Sequence, residues 1–314
     1  MKESKLPSVN KSTGSAPNIN LGSSLATEDH LGMKGLNLSI FSKHLKFLDY
    51  NSMSEAVSEM GFDGIDLTVR PNGHVLPERV QDDLPKVTEA MKSFGLKPTM
   101  ICSNVMDANN PIHLKIVEVA SALDYKYYRP DLLKYTEEEN VLDVVEKAKK
   151  YFNILEKLNK KYGISASYIN LPGHFYGAAI WDLHNGLNGL SPKFIGSQYD
   201  IVHASIEGAT NWEIGFKLIK PYINTLVLKD YMWAKKNGTW AFEYTPLGEG
   251  MVDFKRYFTL LKKYNINAPI SIHTEYDLGG AENGGKPTIE NKEVFRRIKK
   301  DVDFTRRLWE EVNQ

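Results

Sequence analysis

Gly61-Phe62-Asp63-Gly64-Ile65-Asp66-Leu67-Thr68-Val69-Arg70 is the stretch whose reading decides the fold. From Gly64 onward it alternates apolar and polar residues. In an extended chain, successive side chains point to opposite faces. Ile65, Leu67 and Val69 then share one face, and Asp66, Thr68 and Arg70 share the other. Residues 52–60, ahead of it, read as a helix stopped by Gly61. Residues 80–94, behind it, read as another helix that ends at Gly95. The unit is therefore helix, strand, helix.

The same unit recurs in both directions along the chain. Strands are expected over residues 36–41, 64–70, 97–103, 125–129, 165–171, 194–204, 223–230 and 269–276. Helices are expected over 52–60, 80–94, 112–123, 136–162, 212–219, 254–264 and 289–312, with a short one near Trp181. The helix over 136–162 carries Val141, Val144, Val145, Ala148, Phe152, Leu155 and Leu158 near a 3.6-residue period, with Glu137, Glu138 and Glu139 in its first turn. Strands alternating with helices imply a parallel sheet, and eight such units imply a closed (β/α)8 TIM barrel. The alternative is an open doubly wound sheet. Against it, no Gly-x-Gly-x-x-Gly follows the first strand. Residues 1–34 are rich in Ser, Asn, Gly and Pro and lack a hydrophobic period, so they read as a flexible tail before a single barrel domain, 35–314.

Composition narrows the function. The 39 basic and 39 acidic residues cancel, which argues against a nucleic-acid footprint or an electrostatic membrane surface. No apolar run approaches the roughly 18 residues of a membrane span. A single cysteine, Cys102, rules out an internal disulfide and a Cys-rich metal site. A small neutral or weakly anionic ligand is the expected partner, with self-association open. A cytoplasmic location is expected, or a periplasmic one if a signal segment preceded residue 1.

A barrel gathers its site at the C-terminal ends of its strands. Five of the eight histidines, His44, His74, His174, His203 and His273, fall at or just past those ends. The first strand is followed by Ser42, Lys43 and His44. The second brings Asp66 and Arg70, for which a structural pairing is favoured, with His74 beyond. The fourth ends in Arg129 and the fifth in Asn170, with His174 and Tyr176 in its loop. Asp200 and His203 lie on the sixth. Lys229 faces inward on the seventh, where it needs a carboxylate such as Asp200 or Glu275. Ser271, His273 and Glu275 share a face of the eighth. Asp230 reads as a solvated or capping carboxylate, and Thr245-Pro246-Leu247-Gly248-Glu249-Gly250 as a turn.

With those residues in place, the chain resembles the sugar phosphate isomerase/epimerase family, the xylose isomerase-like TIM barrels. The resemblance spans about residues 35–312. It rests on residues 61–67, Asp200-Ile201-Val202-His203-Ala204, Leu228-Lys229-Asp230-Tyr231, Pro246-Leu247-Gly248-Glu249-Gly250 and the run ending in Glu275. Ser42-Lys43-His44-Leu45, Asp66-Leu67-Thr68-Val69-Arg70-Pro71 and Gly73-His74-Val75 mark a branch within it. The resemblance implies one divalent ion, Mn, Mg, Co or Zn, held by a Glu, an Asp, a His and a second Glu. Asp200 and Glu275 match two of these positions. Asn170 and the run Leu226-Val227-Leu228-Lys229 supply neither the first Glu nor the His. Two versions follow. In one, Asp200, His203 and Glu275 hold a metal, with His273 as a further candidate. In the other the site is metal-free, and Lys229 takes over the positive charge.

The resemblance implies a sugar or keto-sugar isomerase or epimerase that transfers a proton next to a carbonyl. Glu275, Lys229, His203 and His273 are the catalytic candidates. His44, Arg70, His74, Arg129, Asn170 and His174 are the substrate-binding candidates. The alternatives are a lyase acting on an oxidised glycoside and a sugar-binding barrel with a degenerate metal site. A metal-dependent endonuclease is disfavoured by the balanced charge.

Overall fold

Phe41, at the end of the first strand, lies opposite Asp66 of the second, and Asp66 lies opposite Met100 of the third. This parallel pairing continues around the chain until Leu38, Ser39 and Ile40 meet Ile270, Ser271 and Ile272. The computed structural model describes residues 35–314, and in it eight parallel strands close into a barrel. The tail expected over 1–34 lies outside the described residues.

The strands are β1 (Leu38–Phe41), β2 (Gly64–Val69), β3 (Lys97–Ser103), β4 (Tyr127–Arg129), β5 (Ser165–Ile169), β6 (Ile195–Asp200), β7 (Ile223–Leu228), β8 (Asp230–Lys236), β9 (Thr239–Thr245) and β10 (Ile270–Ile272). All but β8 and β9 belong to the barrel. The helices are α1 (Tyr50–Glu59), α2 (Val80–Ser93), α3 (Pro111–Ala122), α4 (Val141–Tyr162), α5 (Ile180–Leu187), α6 (Ile201–Gly208), α7 (Trp212–Ile219), α8 (Phe254–Lys263) and α9 (Asn291–Asn313).

The apolar faces do what their spacing predicts. Ile65, Leu67 and Val69 of β2 are fully buried in the same core as Leu84 and Val87 of α2. Along α4, Val144, Ala148, Phe152 and Leu155 are buried at helical spacing. Each such aliphatic or aromatic side chain contributes about 1.5–3 kcal/mol when removed from water. The alternate residues of the barrel strands are largely polar. Ser39, Asp66, Ser167, Gln198, Thr225 and Ser271 are all buried. This lumen is unlike one filled by Val, Ile and Leu.

Four local expectations are corrected. α4 begins at Val141, not in the acidic run, because the Asn140 side chain accepts from Leu142 N and starts the helix there. β6 stops at Asp200. Its carboxylate accepts from His203 N at 3.0 Å and caps α6, so His203 sits on a helical first turn rather than a strand. The eighth barrel strand is three residues long, and His273 and Glu275 lie just beyond it. Finally, β8 and β9 form an antiparallel hairpin outside the barrel, paired from Asp230–Thr245 to Lys236–Thr239. Asn237 and Gly238 turn it with φ of 49° and 85°. The Asn-Gly pair between two β-rich runs was the signal for this hairpin.

Candidate active site

The barrel register brings the predicted strand ends to one mouth. β1 delivers Phe41 and the 3-10 turn Ser42–Leu45 that carries Lys43 and His44. β2 delivers Asp66 and Arg70, and β4 delivers Arg129. β6 and the start of α6 deliver Asp200 and His203. β7 runs into Lys229, and β10 runs into His273 and Glu275.

Lys229 and Asp200 form a buried ion pair there. Lys229 Nζ lies 3.0 Å from Asp200 Oδ2, an ion pair by distance though not aligned as a directed hydrogen bond. Burial would lower the Lys229 pKa, but Asp200, Tyr244 and Glu275 together hold it above the ordinary lysine value. Burial pushes the Asp200 carboxyl upward, and Lys229 and His203 N oppose that push. An ammonium at 3.0 Å fixes the pair as ionised. Lys229 Nζ is also 5.1 Å from the centre of the Tyr244 ring, so the hairpin contributes to the site.

His203 Nδ1 is 2.8 Å from Asn170 O and 3.1 Å from Asp200 Oδ2. Facing two oxygen acceptors, Nδ1 carries the proton, and the buried Nε2 has no hydrogen-bond partner. Burial, then the Lys229 charge, holds the imidazole well below its ordinary pKa. Its contact with Asp200 is therefore that of a neutral ring.

Glu275 is the accessible carboxylate of the mouth. Its side chain is 18% exposed, against 0% for Asp200 and 2% for Asp66. Oε2 pairs with Lys43 Nζ at 2.8 Å. Burial raises the Glu275 pKa, but Lys229 and Lys43 outweigh it and the carboxyl ends below its ordinary value. His273 stacks on Phe41 with centroids 4.4 Å apart and planes 13° apart. Its Nδ1 is 3.8 Å from Glu275 Oε1 and its Nε2 is 3.9 Å from Asp66 Oδ2, too far for hydrogen bonds. Burial and the charges of Lys229 and Arg129 keep it neutral.

The favoured Asp66–Arg70 pairing is not observed. Asp66 Oδ2 instead accepts from Ser271 Oγ at 2.8 Å. Burial pushes this carboxyl up, and Arg129, Ser271 and Arg70 oppose it. The guanidinium carbons of Arg70 and Arg129 each lie 5.4 Å from the centre of the Phe41 ring.

Of the remaining candidates, His74 and Asn170 are tied to neighbouring loops and backbone by their side chains. His74 Nδ1 is 3.1 Å from Ser42 Oγ, and its Nε2 is 3.3 Å from Leu45 O, so the ring ties the loops after β1 and β2 together. Asn170 donates to Asp200 O and accepts from Asp200 N, which uses both ends of its amide. His44 is buried behind Phe41, edge-on at 5.6 Å, and burial lowers its pKa to about 3. His174 is exposed on the loop after β5, where its carbonyl accepts from Tyr135 N. Tyr176 is buried and donates to Asp182 O.

Asp230 is buried, and of its two expected roles it takes the capping one. Its two carboxylate oxygens accept from the backbone amides of Tyr231, Gly248, Gly250 and Val252. A Cβ at Gly250 would collide with Asp230 Oδ1, which explains the glycine. The Lys-Asp and Pro-Leu-Gly-Glu-Gly runs are thus two halves of one loop clamp.

The sequence places Lys43 at a strand end but does not show its pairing with Glu275, and it does not mark Phe41 or Tyr244 as parts of the mouth. Phe41 reads as the last apolar residue of a strand, and Tyr244 sits on the hairpin outside the barrel.

The metal version of the site does not fit these residues. Asp200 Oδ2 faces the Lys229 ammonium, and Oδ1 caps α6. His203 meets Asp200 with its protonated Nδ1, so the unprotonated Nε2, the nitrogen able to ligate, is not the one beside Asp200. Glu275 is held by Lys43. Among the described residues no three His, Cys, Asp or Glu side chains converge as a metal site. Asp200, His203 and Glu275 share a mouth without forming a ligand set.

A closed eight-stranded parallel barrel with ionisable side chains gathered at its C-terminal rim defines the class of the (β/α)8 barrels. Within that class the chain belongs to the xylose isomerase-like TIM barrels, whose sequence signature matches residues 54–298. No curated protein matches it at a significant level. Among solved structures it is similar to the IolI protein, described with a bound zinc atom, at 17% identity and a TM-score of 0.67, covering 87% of this chain and 99% of that one. The 3-keto-D-glucoside 4-epimerase of E. coli is similar at 14% identity and 0.63, covering 87% and 99%. The probable 3-DHS dehydratase of Bacillus anthracis is similar at 14% and 0.63, covering 85% and 99%. At these identities the likeness is one of fold. No helix among the described residues is long and apolar enough to cross a membrane.

Proposed function

We propose that this protein is an enzyme that moves a proton on the carbon next to a carbonyl of a sugar or keto-sugar, as an epimerase or isomerase. One observation carries the reading. Glu275, ionised and open to the mouth, shares it with the buried ammonium of Lys229. Proton abstraction next to a carbonyl needs a base and a positive charge where the oxyanion develops. Glu275 takes the α-proton. Lys229 holds the enediolate oxygen, with its position fixed by Asp200. Protonation of the same carbon from the opposite face by a solvent-derived proton, with the Glu275 proton released to solvent, gives the epimer; return from Glu275 to the neighbouring carbon, with a hydroxyl proton passing between the two oxygens, gives the isomer. The neutral rings of His203 and His273 serve as hydrogen-bonding groups rather than as imidazolium acids. Family membership and the sugar epimerase among the similar structures support this class.

A second reading is elimination from a keto-glycoside. Tyr244 favours it, because a neutral phenol beside Lys229 can protonate a leaving oxygen. The two diverge after a shared first step. Incubation of candidate keto-sugars in D₂O tests that step. Deuterium at the α-carbon is expected, with an epimer or isomer as product. An unsaturated product would select elimination. Binding without any exchange would leave a sugar-binding barrel.

A further inference from the structure

Six of the eight arginines in the chain have a carboxylate within 4 Å: Arg79, Arg256, Arg296, Arg297, Arg306 and Arg307. Arg70 and Arg129 are the two that have none among the described residues, and both stand at the mouth of the barrel. Their guanidinium carbons lie at the same 5.4 Å from the Phe41 ring. Both are only half-exposed. The other cations of the mouth are matched, Lys43 by Glu275 and Lys229 by Asp200. That leaves two guanidiniums facing one buried carboxylate, Asp66, whose hydrogen bond comes from Ser271. The mouth therefore holds a surplus positive charge.

The backbone holds both arginines in place. Gly73 N donates to Arg70 O at 2.8 Å, closing a turn in which Pro71 and a left-handed Asn72 follow Arg70. Arg129 ends β4 and precedes Pro130, and Ser103 Oγ donates to its carbonyl. Planar guanidiniums match carboxylates in geometry, and two on fixed supports are costly to leave unpaired beside an apolar ring.

We propose that Arg70 and Arg129, over the Phe41 ring, form a subsite for the carboxylate of an acidic sugar. A monoanion balances the surplus of one charge. The proposal rests on reading this mouth as a sugar site, but its readout is binding. Proton transfer can fail while the charge preference stands, and the reverse.

The test compares matched probes on the full chain: D-glucuronate against D-glucose, and D-galacturonate against D-galactose, by calorimetry. The acid of at least one pair is expected to bind about tenfold or more tighter, as a charge-assisted pair allows. The preference should shrink as salt rises from about 0.05 to 0.5 M. It should vanish in Arg129→Gln and Arg70→Gln, and Arg129→Lys should restore part of it. The proposal is overturned if no acid outbinds its neutral partner, or if folded glutamine variants keep the preference. Glucose 6-phosphate binding more tightly than glucuronate would overturn the carboxylate assignment. The wild-type comparison and its salt dependence decide the matter even if a variant fails to fold.

Discussion

Lys229 Nζ sits 3.0 Å from Asp200 Oδ2, with side-chain exposures of 5% and 0%. Removing one partner of such a buried pair leaves an uncompensated charge and costs about 3–5 kcal/mol. Lys229→Met should therefore lower the unfolding free energy from urea titration by that much, and Lys229→Met with Asp200→Asn by clearly less. Equal losses in the single and double variants would show that the two charges are not coupled.

Glu275 gives the opposite profile. Its ion pair with Lys43 is partly exposed, at 18% and 22%, and pairs of that kind contribute about 0–1 kcal/mol. Glu275→Gln should leave thermal stability almost unchanged. It should also reduce α-proton exchange by about two to four orders of magnitude, the range of general base catalysis. Wild-type exchange in a folded Glu275→Gln protein would remove Glu275 as the base.

Most of this arrangement is legible in the sequence. Alternation in residues 64–70 and its recurrence defined the barrel, because a two-residue period is a strong constraint where one face is buried. The strand-end rule gathered Asp66, Arg70, Arg129, Asp200, Lys229 and Glu275. What failed depended on local competition. Asp200-Ile201-Val202-His203-Ala204 is apolar enough for a strand, yet the Asp200 carboxylate caps a helix there. Pairings were also illegible. Nothing in the sequence says that Ser271 rather than Arg70 satisfies Asp66, or that Asn170 spends its amide on the Asp200 backbone.

Stability should respond to pH in two opposed ways. Burial holds His44 at about 3 and His74 at about 4, both below the unfolded value of 6.5. The unfolded chain then binds protons that the folded one refuses. The histidines' contribution is full above pH 6.5 and is lost as pH drops toward 4 and 3. Asp301 runs the other way. Burial raises its carboxyl from 3.8 to about 7. Between those values the folded chain keeps a proton that the unfolded one has lost, so stability declines as pH rises, by a few kcal/mol in order of magnitude. Asp301→Asn should flatten that decline and leave the acid limb intact. An unchanged slope between pH 4 and 7, by urea titration, would contradict the assignment.

The loop clamp at Asp230 supplies the last prediction. One carboxylate accepts four backbone amides, from Tyr231, Gly248, Gly250 and Val252. Hydrogen bonds to a charged group contribute about 1.5–3 kcal/mol each when measured singly, and bonds sharing one acceptor group are not additive. Asp230→Asn keeps the shape, but its NH₂ end meets amide donors instead of accepting from them. A loss of about 3 kcal/mol or more is therefore expected. The same clamp holds the base of the hairpin that carries Tyr244 to Lys229. Asp230→Asn should thus speed amide hydrogen exchange at Gly248, Gly250 and Val252 and weaken ligand binding, while exchange in β2 and β3 stays slow. Faster exchange throughout the barrel would mean instead that Asp230 supports the whole fold. No change at the three amides would mean that the clamp does not hold the loop.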